Sequence, residues 1–81
     1  MLSVYPNPND GNFTVSFNAT IKSSYKLELY NALGQIIYKD EIREISGTYT
    51  KKLSVTEYGK GVYTISLTND KNETVKRIIV Y

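Results

Sequence analysis

The side chains of this 81-residue chain offer little catalytic chemistry. The sequence contains no histidine and no cysteine, so the usual general base, thiolate nucleophile and nitrogen or sulfur metal ligands are missing. Hydrolysis by paired carboxylates requires two acids that converge in a cleft, whereas the eight acids here fall mostly in predicted turns or beside lysines. We interpret them as solvated surface charge and expect no enzymatic activity; they are Asp10, Glu28, Asp40, Glu41, Glu44, Glu57, Asp70 and Glu73.

Metal and phosphate sites are also poorly represented. The segment Asn7–Asn12 has oxygen-bearing side chains at a spacing similar to a calcium loop, but it holds one carboxylate and lacks the distal bidentate glutamate. We interpret it as a turn, with a weak metal site as the alternative. No glycine-rich phosphate loop is present. The chain is therefore expected to need no cofactor.

Length and composition predict a single domain over residues 1–81, because 41% hydrophobic and 12% aromatic residues argue against disorder. Ten basic and eight acidic side chains are spread along the chain, which is too even for a nucleic-acid surface. No run approaches the roughly 18 apolar residues of a membrane-spanning helix, so membrane insertion is not expected. Met1 directly precedes a strand-like run and is interpreted as an initiator added to a domain excised from a longer protein.

Strict alternation of apolar and polar residues predicts strands in which one face meets a core and the other meets water. The polar segments Ala19–Ser24 and Arg43–Gly47 are expected to be a link and a loop. No helical period is present, and turn signals recur about every 8–12 residues. This pattern predicts an all-β, immunoglobulin-like sandwich of about seven antiparallel strands. The predicted strands are Val4–Tyr5, Asn12–Asn18, Tyr25–Tyr30, Gln35–Ile42, Thr48–Val55, Gly61–Thr68 and Thr74–Tyr81.

Local signals predict how the chain turns between these strands. The segment Asn31–Gly34 is expected to be a hairpin loop in which Gly34 takes a positive φ. In Tyr58-x-x-Gly61-x-Tyr63 the spacing is that of a tyrosine corner, and the alternative is that Tyr63 is an ordinary inward-facing strand residue. The motif residues assigned to structure are Tyr5, Pro6, Asn7, Pro8, Gly11, Gly34, Tyr58, Gly61 and Tyr63.

Four stretches together resemble a known family, the type A C-terminal sorting domain of cargo proteins of the type IX secretion system (Por system) in Bacteroidota. They run from residue 4 to residue 81 in the family's order and spacing, and their combination in a chain of this length is quite specific. The stretches are Tyr5-Pro6-Asn7-Pro8 with Gly11 following, Leu29–Gln35, Gly61–Leu67 and Lys76–Tyr81.

This resemblance implies a non-catalytic signal domain fused behind an N-terminal cargo domain. The cargo is expected to be exported through the periplasm and the type IX outer-membrane translocon to the cell surface or the medium. In the family, a sortase-like peptidase commonly removes the domain, and the cargo is then anchored or released. A signal of this kind needs a surface rather than an active site.

The last strand is the candidate recognition element. It ends the chain, it is basic and then apolar, and it is expected to lie at a sheet edge that is available for strand addition. Exchange of this edge strand would also allow a weak homodimer. The alternative is that Ile78–Tyr81 simply complete the core, and both roles can coexist. The candidate recognition residues are Lys76, Arg77, Ile78, Ile79, Val80 and Tyr81.

A competing interpretation is a fibronectin-like or carbohydrate-binding sandwich that acts as a spacer or a glycan binder. A tyrosine-rich surface suits sugar stacking, and a fold alone does not decide function. Against this interpretation, tryptophan is absent and the tyrosines fall mostly within strands rather than in one set of loops.

Overall fold

Alternating apolar residues along the chain give five antiparallel strands and one short 3-10 helix in residues 2–81, the part that the computed structural model describes. Met1, interpreted above as an added initiator, lies outside the described residues. The described residues contain no α-helix, so the predicted all-β class is confirmed. The elements are β1 (Leu2–Tyr5), β2 (Asn12–Tyr30), β3 (Ile36–Ser54), the 3-10 helix Thr56–Tyr58, β4 (Gly61–Thr68) and β5 (Glu73–Val80).

The predicted number of about seven strands is wrong, because β2 and β3 each join two of them into one strand of 19 residues. The polar segments 19–24 and 43–47 are bends within these strands rather than a link and a loop. The register of β2 with β3 shifts between Ala19 and Ser23 and again between Ser23 and Tyr25. Such bulges let two strands bend together without separating, so a polar composition does not end either strand.

The two halves of β2 pair with different neighbours, and this pairing builds the two layers of the sandwich. Residues 14–17 of β2 pair with β1, residues 26–30 pair with β4, and β3 follows β2 along nearly its whole length. β4 in turn pairs with β5. Since the apolar faces of both halves contribute to one core, the continuous sheet is folded over on itself.

The core contains the residues that the alternation predicted to face inward. Buried hydrophobic positions recur at every second residue over residues 13–19 and 27–29 of β2, residues 63–67 of β4 and residues 78–80 of β5. Of the two adjacent isoleucines at the start of β3, Ile37 packs against the core and Ile36 is exposed. The buried hydrophobic residues are Leu2, Phe13, Val15, Phe17, Ala19, Leu27, Leu29, Val55, Tyr63, Ile65, Leu67, Ile78 and Val80.

The β2–β3 turn has the predicted geometry. Gly34 has a φ of 82°, and its amide donates to the Asn31 carbonyl at 3.0 Å. The Asn31 side-chain oxygen also accepts hydrogen bonds from the amides of Leu33 and Gln35, both at 3.0 Å. The asparagine thus satisfies the backbone donors of the turn, and the glycine supplies the positive φ.

Candidate recognition site at the last strand

The last strand places the six candidate recognition residues on two different faces. β5 pairs with β4 in register from Glu73 opposite Thr68 to Val80 opposite Gly61. Alternation directs one set inward and the other to the outer face of the sheet. Ile78 and Val80 are buried in the core, and Lys76 shares their side of the strand but is exposed. Arg77, Ile79 and Tyr81 face outward and are exposed.

The free edge of β5 is closed from Arg77 to Tyr81. The Asn7 side chain donates to the Arg77 carbonyl at 2.8 Å and accepts from the Ile79 amide at 3.0 Å. The Asn9 backbone amide donates to the Ile79 carbonyl, and its carbonyl accepts from the Tyr81 amide, both at 3.0 Å. We call Asn7 and Asn9 the edge clip. The expectation that this part of the edge is available for strand addition is therefore wrong, because the segment that follows β1 already occupies it.

The edge clip is held by the side chain of Asn9, which is only 1% exposed. Its amide group donates to the Pro6 carbonyl at 2.9 Å, and its side-chain oxygen accepts from the Gly11 amide at 2.8 Å. Asparagine fits this position because it carries both a donor and an acceptor at the end of a short side chain. Burial of Asn9 was not predicted, since nothing in the local pattern separates it from the exposed asparagines of other turns.

The segment interpreted as a turn behaves as one. The Asp10 carboxylate accepts hydrogen bonds from the amide of Asn12 at 3.1 Å and from its side chain at 3.2 Å. Gly11 has a φ of 111°, and a Cβ atom at this position would lie 2.9 Å from Cγ2 of Thr56. Across residues 2–81, no cluster of three or more acidic groups comes together in a way that could hold a metal ion.

The structure contains the predicted tyrosine corner. The Tyr63 hydroxyl donates to the carbonyl of Gly59 at 2.5 Å, and the ring is 3% exposed. Gly61 has a φ of 148°, and Tyr58 is half-exposed beside it. This bond fixes the entry into β4, the strand on which β5 is aligned. The remaining motif residues Tyr5, Pro6 and Pro8 are exposed and lead the chain from β1 to the edge clip.

One residue of the outer face was not singled out from the sequence. Val62 on β4 is 43% exposed and stands directly opposite Ile79 of β5, which is 47% exposed. The signal was available in the alternation, because Val62 precedes the inward-facing Tyr63 and therefore had to face outward. The neighbouring pair is Thr64 and Arg77. We call the four outward side chains Val62, Arg77, Ile79 and Tyr81 the outer patch.

Acidic side chains on the same face are engaged with hydroxyl groups. The Tyr30 hydroxyl donates to Glu28 at 3.0 Å, and the Ser66 hydroxyl donates to Glu73 at 3.2 Å. The hydrogen bond to Glu28 is the main cause that raises the pKa of Tyr30 above its ordinary value. These contacts leave the guanidinium of Arg77 without a carboxylate within 4.0 Å among residues 2–81.

Several aromatic rings pack on one another instead of forming an open stacking platform. The ring of Phe17 lies 4.9 Å from that of Tyr25 and 5.1 Å from that of Tyr49. The Tyr49 hydroxyl donates to Asp40 at 2.9 Å. Burial, and then this hydrogen bond, raise the pKa of Tyr49 well above its ordinary value. These tyrosines therefore serve packing, which does not favour the glycan-binding interpretation.

Comparison with known proteins agrees with the motifs described above. Residues 3–81 match the family described as secretion system C-terminal sorting domain. The chain is also 28% identical over 79 residues to an ulvan lyase of Nonlabens ulvanivorans, which covers 98% of this chain but only 14% of that relative. Within the described residues, no helix has the length and apolar character needed to cross a bilayer. The chain belongs to the secretion system C-terminal sorting domain family, as its resemblance to the type IX tail domains predicted.

Proposed function

We propose that this domain is a non-catalytic signal that directs a cargo protein, fused to its N-terminal side, through the type IX outer-membrane translocon. The cargo travels through the periplasm to the cell surface or the medium, and a sortase-like peptidase removes the domain before the cargo is anchored or released. The proposal rests on one observation, that the last residues of the chain alternate between buried and exposed side chains. Ile78 and Val80 secure the strand in the core, while Arg77, Ile79 and Tyr81 remain exposed for recognition.

The positions of the two chain ends support this function. Leu2 pairs with Phe17 and lies beside the β4–β5 turn, where it lines a depression with Asn69 and Asn72. Tyr81 lies at the other end of β4, roughly 23 Å away along that eight-residue strand. A cargo domain fused before Leu2 would therefore lie at the opposite end of the domain from the candidate recognition residues and would leave them accessible.

The size of the ulvan lyase relative also supports a fused arrangement. The matched region makes up 14% of that protein, so most of its length lies outside the part that resembles this chain. This chain matches only that small share of the lyase and lacks histidine and cysteine, so it fits the role of an appended signal better than that of a catalytic unit.

The test is export of a reporter. Residues 2–81 are placed behind a signal peptide and a fluorescent protein, and the fusion is expressed in a type IX-competent bacterium and in a matched strain without the translocon. We expect fluorescence at the surface or in the medium of the competent strain, and in the periplasm of the other. A folded fusion that stays in the periplasm of both strains would contradict the proposal.

Point substitutions are preferable to removal of the last strand. Deletion of residues 76–81 would also remove Ile78 and Val80 from the core, so loss of export could reflect unfolding. Substitution of Tyr81 by serine leaves the core intact because its side chain is 74% exposed. Ile21, which is 77% exposed on the distant bend of β2, provides the matched control when it is replaced by serine.

A further inference from the structure

The edge clip determines which groups of the last strand a partner can reach. In a strand, the amide and carbonyl of alternate residues point to the same side. The groups of Arg77 and Ile79 on β5, and of Tyr81 directly after it, point away from β4, and the clip accepts or donates four hydrogen bonds there. An added strand would have to displace Asn7 and Asn9, and the second of these is anchored by a buried side chain. From Arg77 to Tyr81 the backbone edge is therefore a poor site for recognition.

The outer patch remains accessible and is continuous across two strands. Val62 and Ile79 are a directly paired cross-strand couple, which brings their Cβ atoms to about 5 Å from each other. Arg77 and Tyr81 flank Ile79 on the same face, and Tyr81 is 74% exposed. The patch therefore combines two aliphatic side chains with a tyrosine and an arginine, and the last two are residue types that commonly anchor protein interfaces.

The charge of the patch indicates the chemistry of the partner. The two ion pairs within residues 2–81 join Lys22 to Glu44 and Arg43 to Glu41, so Arg77 takes part in neither. An exposed guanidinium beside apolar groups is suited to a carboxylate, which it binds through paired hydrogen bonds. An anionic lipid surface is less suitable, because adsorption to it generally requires a cluster of about four or more basic residues.

We propose that the component that reads this signal docks on the outer patch with an apolar protein surface that carries a carboxylate opposite Arg77, and not by adding a strand to the edge from Arg77 to Tyr81. This inference rests on the proposed function. It assigns recognition to residues of both β4 and β5, so that Val62, which lies outside the last strand, becomes part of the signal. Ile78, Val80 and the edge clip then hold the patch in place.

The discriminating experiment compares two exposed valines on the same face in the export assay. Val62 belongs to the patch, whereas Val75 is 54% exposed on β5 about 13 Å farther along the sheet. We expect Val62→Gln to lower export about tenfold, because a polar amide replaces an apolar contact, and Val75→Gln to change it less than about twofold. Arg77→Gln and Lys71→Gln form the matched pair for charge, because Lys71 is exposed in the distant β4–β5 turn, and we expect the loss only in Arg77→Gln.

Further outcomes separate the alternatives. If recognition proceeds by strand addition, Asn7→Ala opens the edge and raises export while Val62→Gln has no effect, and the proposal is overturned. Binding of the purified domain to phosphatidylglycerol vesicles that is lost in Arg77→Gln would assign the patch to lipid and would also overturn it. Each variant is checked for folding by thermal unfolding of the purified domain. If the unsubstituted fusion is not exported, the proposed function itself fails, and that result is distinct from these.

Discussion

The side chain of Asn7 forms two hydrogen bonds to the backbone of a segment that lies 70 to 72 residues later in the chain. Its amide group donates to the Arg77 carbonyl at 2.8 Å, and its oxygen accepts from the Ile79 amide at 3.0 Å. The side chain thus imitates a neighbouring strand at the edge of the sheet. Such a contact joins the beginning and the end of the domain, and it leaves the outward face of the last strand uncovered.

Replacement of Asn7 by alanine should loosen this edge without unfolding the domain. Two partly solvated hydrogen bonds are lost, which corresponds to about 1–2 kcal/mol in the free energy of unfolding. Hydrogen exchange should accelerate at the amide of Ile79, while the amides of β4 stay protected. Asn18→Ala is the matched control, since Asn18 is exposed and its side chain makes no hydrogen bond within residues 2–81, and it should change stability by less than about 0.5 kcal/mol.

The same substitution bears on self-association. An uncovered edge strand is a template for pairing with another chain, and the sequence suggested a weak homodimer through the last strand. We expect Asn7→Ala to form dimers at concentrations at which the unsubstituted domain is monomeric, as measured by analytical ultracentrifugation. Equal association constants for the two proteins would show that the Asn7 side chain does not prevent pairing at this edge.

Removal of the Tyr63 hydroxyl should destabilise the domain while the ring stays in the core. Tyr63→Phe loses the hydrogen bond to the Gly59 carbonyl, and we expect a loss of about 1 kcal/mol, measured as a lower urea midpoint with an unchanged slope. Tyr58→Phe removes a hydroxyl from a half-exposed ring nearby and should leave the midpoint in place. If both substitutions have the same effect, the hydroxyl of the tyrosine corner contributes nothing specific.

Two glycines with positive φ separate backbone strain from a close contact. Gly34→Ala meets no atom within 4 Å, so only the strain of the left-handed backbone, about 1–2 kcal/mol, should appear. Gly11→Ala adds a Cβ atom 2.9 Å from Cγ2 of Thr56 and should cost about 1–3 kcal/mol more. Thr56→Ser in the Gly11→Ala background removes that methyl group and should recover part of the difference in urea unfolding. If Thr56→Ser recovers no stability, the cost of Gly11→Ala arises from backbone strain alone.

Stability should decline at alkaline pH through Tyr49. Its pKa in the folded state is raised above the ordinary value of 10.0, so the folded domain holds this proton more tightly than the unfolded chain. The stability that this group contributes is therefore fully present below pH 10.0 and is lost as the pH rises toward the folded-state pKa. Unfolding free energies of Tyr49→Phe from about pH 8 to about pH 12 should decline less steeply than those of the unsubstituted domain. Parallel profiles would contradict the assignment.

Part of this architecture follows directly from the residue pattern, because it depends on neighbours in the chain. The alternation of Phe13, Val15 and Phe17 specifies which face of a strand is buried. The Asn31–Gly34 turn and the spacing from Gly61 to Tyr63 are equally local, and both have the predicted geometry. The family motifs are likewise short segments with defined residue types.

The amino-acid pattern alone was therefore sufficient to predict the all-β class, the inward-facing residues, the turns and the family. Three features depend instead on the folded arrangement: β2 and β3 are continuous, Asn7 and Asn9 close the last edge, and Val62 joins Arg77, Ile79 and Tyr81 in one patch. Alternation is a property of each strand by itself. Bulges, edge contacts and cross-strand neighbours require a register between segments that are far apart in the chain, and that register exists only once the core has brought them together.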